Sequence, residues 1–370
     1  MAKKSKKQKT INLALQGGGA HGAFTWGVLD KLLEDGRLNV EGICATSAGT
    51  MNACAFAYGN HIGGAEKARE VLHDFWYAIH KSGQRYNPIK HTPWDNPFGD
   101  EIWRMENIYG YFMFDMFTRM FSPYQYNPFD FNPLRDVLED TIDFSTLRKC
   151  DSTKLFISTT HVATGKVRVF NAPQMDIDVA LASACLPHIF KAVEIEGEDF
   201  WDGGYVGNPA LFPLFYETDT RDVLIVHVNP IERLETPTTA PDIMNRINEI
   251  SFNSSLIQEM RAIAFVKKLL EYDMLKDEQR DHFKNVLVHS IRADQAMRDL
   301  SVSSKLDSSW EFLTYLRDLG RKNMEEWLDK NFNKVGKEDS VDLDQEFLYS
   351  VTKVFEDREK WLKKRRSAAP

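Results

Sequence analysis

Two short stretches of this 370-residue chain surround reactive groups with small residues. In Ala45-Thr46-Ser47-Ala48-Gly49 a serine has small residues two positions before and after it. That is the pattern of a tight strand-to-helix turn, which exposes a hydroxyl at a helix N-terminus, where developing negative charge is favoured. Gly17-Gly18-Gly19-Ala20-His21-Gly22, one unit earlier, offers amides with no Cβ in front of them. An oxyanion hole needs such amides, and one donor contributes ~3–4 kcal/mol of transition-state stabilisation. Each stretch alone is ambiguous, because serine is also a common helix cap and Gly17-x-Gly19-x-x-Gly22 fits the dinucleotide fingerprint. That fingerprint expects an acidic residue near the end of the second strand. Ala45-Thr46-Ser47 stands there, with Glu41 at the strand's start and Asp35 in the preceding turn. A phosphate loop with Gly-Lys-Ser/Thr is absent from the sequence.

A serine hydroxyl needs a group to take its proton. The ten histidines include none in a late turn that completes a convincing Ser…Asp…His order, although His227 and His289 can be argued for. The other candidate is Asp202 in Phe200-Trp201-Asp202-Gly203-Gly204, where an apolar lead-in delivers a carboxylate to a glycine turn. With a reference pKa of ~3.9, aspartate is ionised but a weak base at neutral pH, so a Ser47/Asp202 pair would lean on its oxyanion hole.

These groups must be positioned by a framework. Residues 11–16 read as a buried strand running into the glycine loop, 22–34 as a helix closing at Asp35-Gly36, and 40–46 as a second strand. An Ala-rich helix follows to about residue 58. This βαβα opening predicts a parallel sheet with helices on its faces, so the glycine loop and Ser47 open onto the same sheet edge. Strand patterns return at 154–160, 166–170 and 223–229 and are expected to complete the sheet. Between 82 and 133, aromatics from Trp94, Phe98 and Trp103 to Phe129 and Phe131 crowd among prolines. This insertion reads either as a second hydrophobic cluster or as a cap lining an acyl channel. Residues 233–241 read as a linker, after which Leu256, Met260, Ile263 and Leu270 mark a helical face. The expected division is a basic tail over 1–10, a catalytic unit over 11–232 and a helical extension over 242–370.

Hydrophobic residues at 43% and charged residues at 27% indicate an ordinary globular chain. A net charge of −8 argues against nucleic acid as a partner. The ends depart from that average, with lysines 3, 4, 6, 7 and 9 and Lys-Lys-Arg-Arg at 363–366. Such short runs are as a rule solvated tails, and peripheral contact with an anionic membrane surface is compatible with them. No export signal or run of ~18 apolar residues is visible. Four scattered cysteines without CxxC spacing fit a reduced compartment and give neither a disulfide framework nor a zinc site, so the expectation is a cytoplasmic protein.

Taken in order, Gly17-Gly18-Gly19-Ala20-His21-Gly22, Ala45-Thr46-Ser47-Ala48-Gly49, Ala182-Ser183 with Leu186-Pro187 and Phe190, and Asp202-Gly203-Gly204 with Asn208-Pro209 resemble the four blocks of patatin-like phospholipases. The resemblance covers roughly residues 11–230. It implies a three-layer α/β/α fold with a mainly parallel central sheet, and hydrolysis of phospholipid or another acyl ester. It further implies Ser47 as nucleophile, Asp202 as base and amides around Gly17, Gly18 and Gly19 as oxyanion hole, with neither metal nor cofactor. Residues 245–253, Ser303-Ser304-Lys305-Leu306 and the segment from Ser122 to Arg135 resemble one bacterial branch that carries a C-terminal extension. Two positions depart from the family pattern: Ala45 replaces the first glycine of Gly-x-Ser-x-Gly, and His21 replaces the usual Arg or Lys. The alternatives left open are another hydrophobic ester such as a storage polyester, acyl transfer to an alcohol, and a lipid-binding or scaffolding module without turnover.

Overall fold

A computed structural model describes residues 8–87 and 109–348, apart from 234, 273, 277, 279–281, 299, 301 and 302, and without the side chains of 109–112, 115 and 241. Trp94, Phe98, Trp103, lysines 3 to 7 and the basic run at 363–366 lie outside these residues.

The chain opens with β1 (Lys9–Leu15), α1 (Gly22–Asp35), β2 (Leu38–Ala45) and α2 (Ala48–Tyr86). Helix α1 stops at Gly36, whose φ of 68° is the left-handed conformation that glycine takes without strain. The helix after Ser47 breaks at Gly63-Gly64, where both residues leave helical geometry (φ 70° at Gly64), a few residues past the expected end near residue 58, and a second helical stretch continues across that kink to Tyr86. Next come α3 (Tyr109–Met120), α4 (Pro133–Thr141), β3 (Lys154–His161), β4 (Lys166–Asn171), α5 (Ile177–Ser183), β5 (Val193–Ile195), β6 (Glu198–Asp202) and β7 (Asp222–Val226). The last part holds α6 (Ala240–Glu271), β8 (Leu287–Ile291) and α7 (Trp310–Asn331).

The strands form one sheet in the order β5-β6-β3-β2-β1-β7-β8, with β4 paired to β3 off that path. Its centre is parallel and its β3–β6 end antiparallel. Alternation along the strands divides the core. Leu13, Leu15 and Ile43 pack with α1, α2 and α7 on one face. Ala14, Cys44, Val223 and Ile225 pack on the other with Leu256, Met260 and Ile263 of α6. The fold is thus the expected α/β/α arrangement. No helix of the described residues is long and apolar enough to cross a membrane.

The C-terminal part enters this core instead of being appended to it. Strand β8 pairs in parallel with β7, so residues 154–229 do not complete the sheet by themselves. Helix α7 crosses α1 at two glycines: a Cβ on Gly27 would collide with the Arg317 carbonyl, and one on Gly320 with that of Phe24. Arg321 of α7 pairs with Asp30 and Glu34 of α1. At the start of the linker expected at 233–241, Arg233 pairs with the buried Glu249 at 2.6 Å. At the other end Lys9, expected in the tail, belongs to β1, and its ammonium donates to the carbonyls of Phe332 and Val335.

Candidate active site

β1 and β2 lie side by side in parallel, pairing Leu15 with Ala45, so the turns that follow both strands emerge together at one sheet edge. After β2 the backbone turns sharply at Ser47, with φ 54° and ψ −124°, before α2 begins. A non-glycine residue in such a region carries roughly 1–3 kcal/mol of strain, which the surrounding structure must hold in place. The small residues around it are required: a Cβ on Gly49 would collide with the Leu15 carbonyl, and one on Gly22 would come within 2.7 Å of the Ala48 methyl. Ala45, the departure from glycine, is fully buried between Leu15 and Ile157 of the flanking strands. The Ser47 N–H donates to Ser183 Oγ at 3.0 Å. Ser183 in turn donates to the Ser158 carbonyl at 2.8 Å and accepts from Thr50 Oγ1 at 2.8 Å.

Asp202 ends β6, with its own N–H given to the Cys185 carbonyl and its carbonyl taken by Thr160 Oγ1. The carboxylate is wholly buried, and its Oδ1 accepts the Gly204 N–H at 2.7 Å. Its Oδ2 makes no hydrogen bond of normal geometry among the described residues. The Ser47 hydroxyl nevertheless favours the charged form of this carboxylate. Gly18, Gly19, Ser47 and Asp202 all line one cavity of about 490 Å³, within the usual size of small-molecule sites. Its walls are largely apolar, from Met51, Phe75, Trp76 and Ile79 of α2, Leu134, Leu186 and Phe252. Phe114 and Thr118 of α3 also line it, so the described part of the aromatic insertion contributes to the wall. Neighbouring Met113, Met116, Phe117 and Met120 are exposed, so this part does not form a closed second core.

Gly17 stands apart from its two neighbours. Its N–H donates to Asn208 Oδ1 at 2.7 Å, and a Cβ there would come within 2.6 Å of the Ser47 Cβ. It therefore serves as a close packing point against the serine, and its amide, expected in the oxyanion hole, is already taken. Among the described residues the N–H groups of Gly18 and Gly19 have no protein acceptor. His227 and His289, the histidines that can be argued for, do not line the cavity; His289 bonds Asp222 at 2.9 Å. His188 does line it, as an exposed residue.

A family model described as patatin-like phospholipase matches residues 13–215, more than half of the chain. The chain belongs to the patatin-like phospholipase family. Membership supports a lipid ester hydrolase activity. No curated protein matches the sequence. Among solved structures it is similar to VipD from Legionella pneumophila, at 13% identity and a TM-score of 0.40, over 98% of this chain and 77% of that one. It is also similar to full-length ExoU, in its complex with SpcU from the type III secretion system of Pseudomonas aeruginosa, at 13% identity and a TM-score of 0.30. That match covers 87% of this chain and 53% of the other.

Against the patatin-like pattern the informative departure is His21. It is buried, with Nε2 at 2.7 Å from Ser304 Oγ, and burial together with the charge of Lys305 pushes its pKa down to about 3. It is therefore neutral and carries none of the charge usual at that position. A cation reaches the cavity by another route. The turn Ser303–Leu306 seats against the Gly19–His21 turn, and Gly19, at φ 58°, leaves no room for a Cβ under the Lys305 carbonyl. Lys305 Nζ donates to Asn229 Oδ1 at 2.8 Å and Asn248 Oδ1 at 3.0 Å, and lies 5.2 Å from the centre of the Phe252 ring. Burial lowers its pKa to about 8, against the opposing pull of Glu249 and Asp202. Asn248 and Lys305 lie in the stretches 245–253 and 303–306 that resemble the extended bacterial branch, which was the available signal for them; spacing alone gives Lys305 no role.

Burial also raises the Asp202 pKa to about 6, with the Gly204 N–H, the Ser47 hydroxyl and the Lys305 charge opposing the rise. A carboxylate so tuned is a stronger base than a free aspartate while still ionised at neutral pH.

Proposed function

We propose that the protein is a serine lipid acyl-hydrolase in which Ser47 and Asp202 form the reacting pair. The Ser47 hydroxyl attacks the ester carbonyl while its proton passes to Asp202 Oδ2. The resulting oxyanion is held by the amides of Gly18 and Gly19. Collapse expels the alcohol, which recovers the proton, and leaves the acyl group on Ser47; water activated by Asp202 then releases the acid. The apolar walls take the acyl chain. The observation that carries this reading is a strained, small-residue turn exposing Ser47 to the same cavity as a buried, proton-accepting carboxylate and two unpaired glycine amides.

Labelling with a serine-directed fluorophosphonate tests it. Wild type is expected to label and Ser47→Ala to lose both labelling and ester hydrolysis while keeping its circular dichroism spectrum. Labelling that survives Ser47→Ala removes the reading, and loss of activity in His188→Ala but not in Asp202→Asn would move the base to the histidine.

A further inference from the structure

The mechanism above makes no use of Lys305, yet its ammonium is one of the few charged groups on the cavity wall. Two of its three N–H donors go to the neutral oxygens of Asn229 and Asn248. Among the described residues no carboxylate lies within ion-pairing distance of it; Glu249, the acid that most favours its charge, pairs instead with Arg233 and Arg246. A half-buried ammonium satisfied only by amides retains one donor and its charge for an anion. The turn that carries it is fixed by Gly19, so the charge stands beside the glycine loop.

We propose that Lys305, with Asn248 beside it, is the phosphate subsite of this cavity, taking the phosphate of an acyl glycerophospholipid whose ester lies at Ser47. This rests on the acyl-hydrolase reading and adds the residues that would favour a phosphate-bearing acyl glycerol over a neutral ester. The oxyanion has its own donors in Gly18 and Gly19, so Lys305 acts on specificity and touches the reaction only through the pull of its charge on Asp202. The cation that the glycine loop lacks at His21 is thus contributed by the C-terminal part of the chain.

The test compares binding of an ether-linked lysophospholipid, which cannot be hydrolysed, with the same alkyl glycerol without its phosphate, to wild type, Lys305→Met and Lys305→Arg. Wild type should prefer the phosphorylated ligand. Lys305→Met should lose roughly tenfold to a hundredfold in affinity for it, the size of one charge-assisted hydrogen bond, and about threefold or less for the alkyl glycerol. Lys305→Arg should recover most of the loss. Equal losses on both ligands, or no loss on either, overturn the proposal, as does a wild type that shows no preference. Inorganic phosphate that binds as tightly as the ether lipid would make free phosphate the ligand and overturn the lipid assignment. The readout needs no turnover, so failure of fluorophosphonate labelling would sink the hydrolase reading and leave this result to be judged separately.

Discussion

Replacing Asp202 with Asn should separate activity from stability in opposite directions. Burial lifts the carboxyl from 3.8 to about 6, roughly two units, and each unit is ~1.4 kcal/mol, so keeping the ionised form in the fold costs on the order of 3 kcal/mol at neutral pH. A group whose folded pKa is raised adds stability below its unfolded pKa and loses it as pH climbs through the folded value. Wild type is therefore penalised above about pH 6 relative to pH 4, and a neutral isostere is not. Asn keeps an oxygen for the Gly204 N–H, so the variant should be folded, inactive and about 2–3 kcal/mol more stable than wild type at pH 7.5, with that advantage fading below pH 5. Urea unfolding of both proteins at the two pH values measures this. Glu259, whose pKa burial raises to about 7, contributes equally to both proteins and cancels in the difference. In parallel, kcat/KM of wild type on a neutral ester should fall tenfold per pH unit below about pH 6. Lys305→Met should move that limb upward, because its cation holds the Asp202 pKa down. An Asn variant less stable than wild type at pH 7.5, or an acid limb near pH 4, refutes the reasoning.

Three further outcomes are expected. Gly19→Ala forces a Cβ at φ 58° under the Lys305 carbonyl, and should lower kcat on a neutral ester at least tenfold with a modest loss of stability; unchanged kcat would remove Gly19 from the oxyanion hole. Ser183→Ala leaves the buried Ser47 N–H and Ser158 carbonyl without their partner, which should cost ~1–3 kcal/mol in chemical unfolding and reduce activity through the position of Ser47. A fragment ending at residue 239 loses β8, Phe312 and Leu316 from the sheet and core, and should be insoluble or degraded by protease; a cooperatively folding, active fragment would contradict this.

The parts legible in the sequence are those determined by local chemistry. Strand, glycine loop, helix and small-residue turn follow one another between residues 9 and 49, and apolar periodicity with glycine punctuation marks each boundary. The strand end and glycine turn at Asp202 were legible too, although the cavity it shares with Ser47 joins positions far apart in sequence. The helical stretch beyond Gly63-Gly64 was not, since the pair interrupts the helix and only packing keeps the chain helical to Tyr86. Strand β8 is short, and its nearly continuous burial, Leu287 to Ile291 around His289 with only Ser290 half-buried, is hidden among helical patterns. Lys305 was read as part of a motif without a task, because only tertiary packing brings residue 305 against residue 19. The change at His21 looked like a lost charge for the same reason.

The crossing of α1 and α7 through Gly27 and Gly320 bears on how the molecule comes into being. A ribosome releases Ser47 and the glycine loop early, but the wall formed by Lys305 and the helix that clamps α1 arrive some 260 residues afterwards. For most of its synthesis the polypeptide therefore carries an α1 face and a sheet edge whose partners do not yet exist.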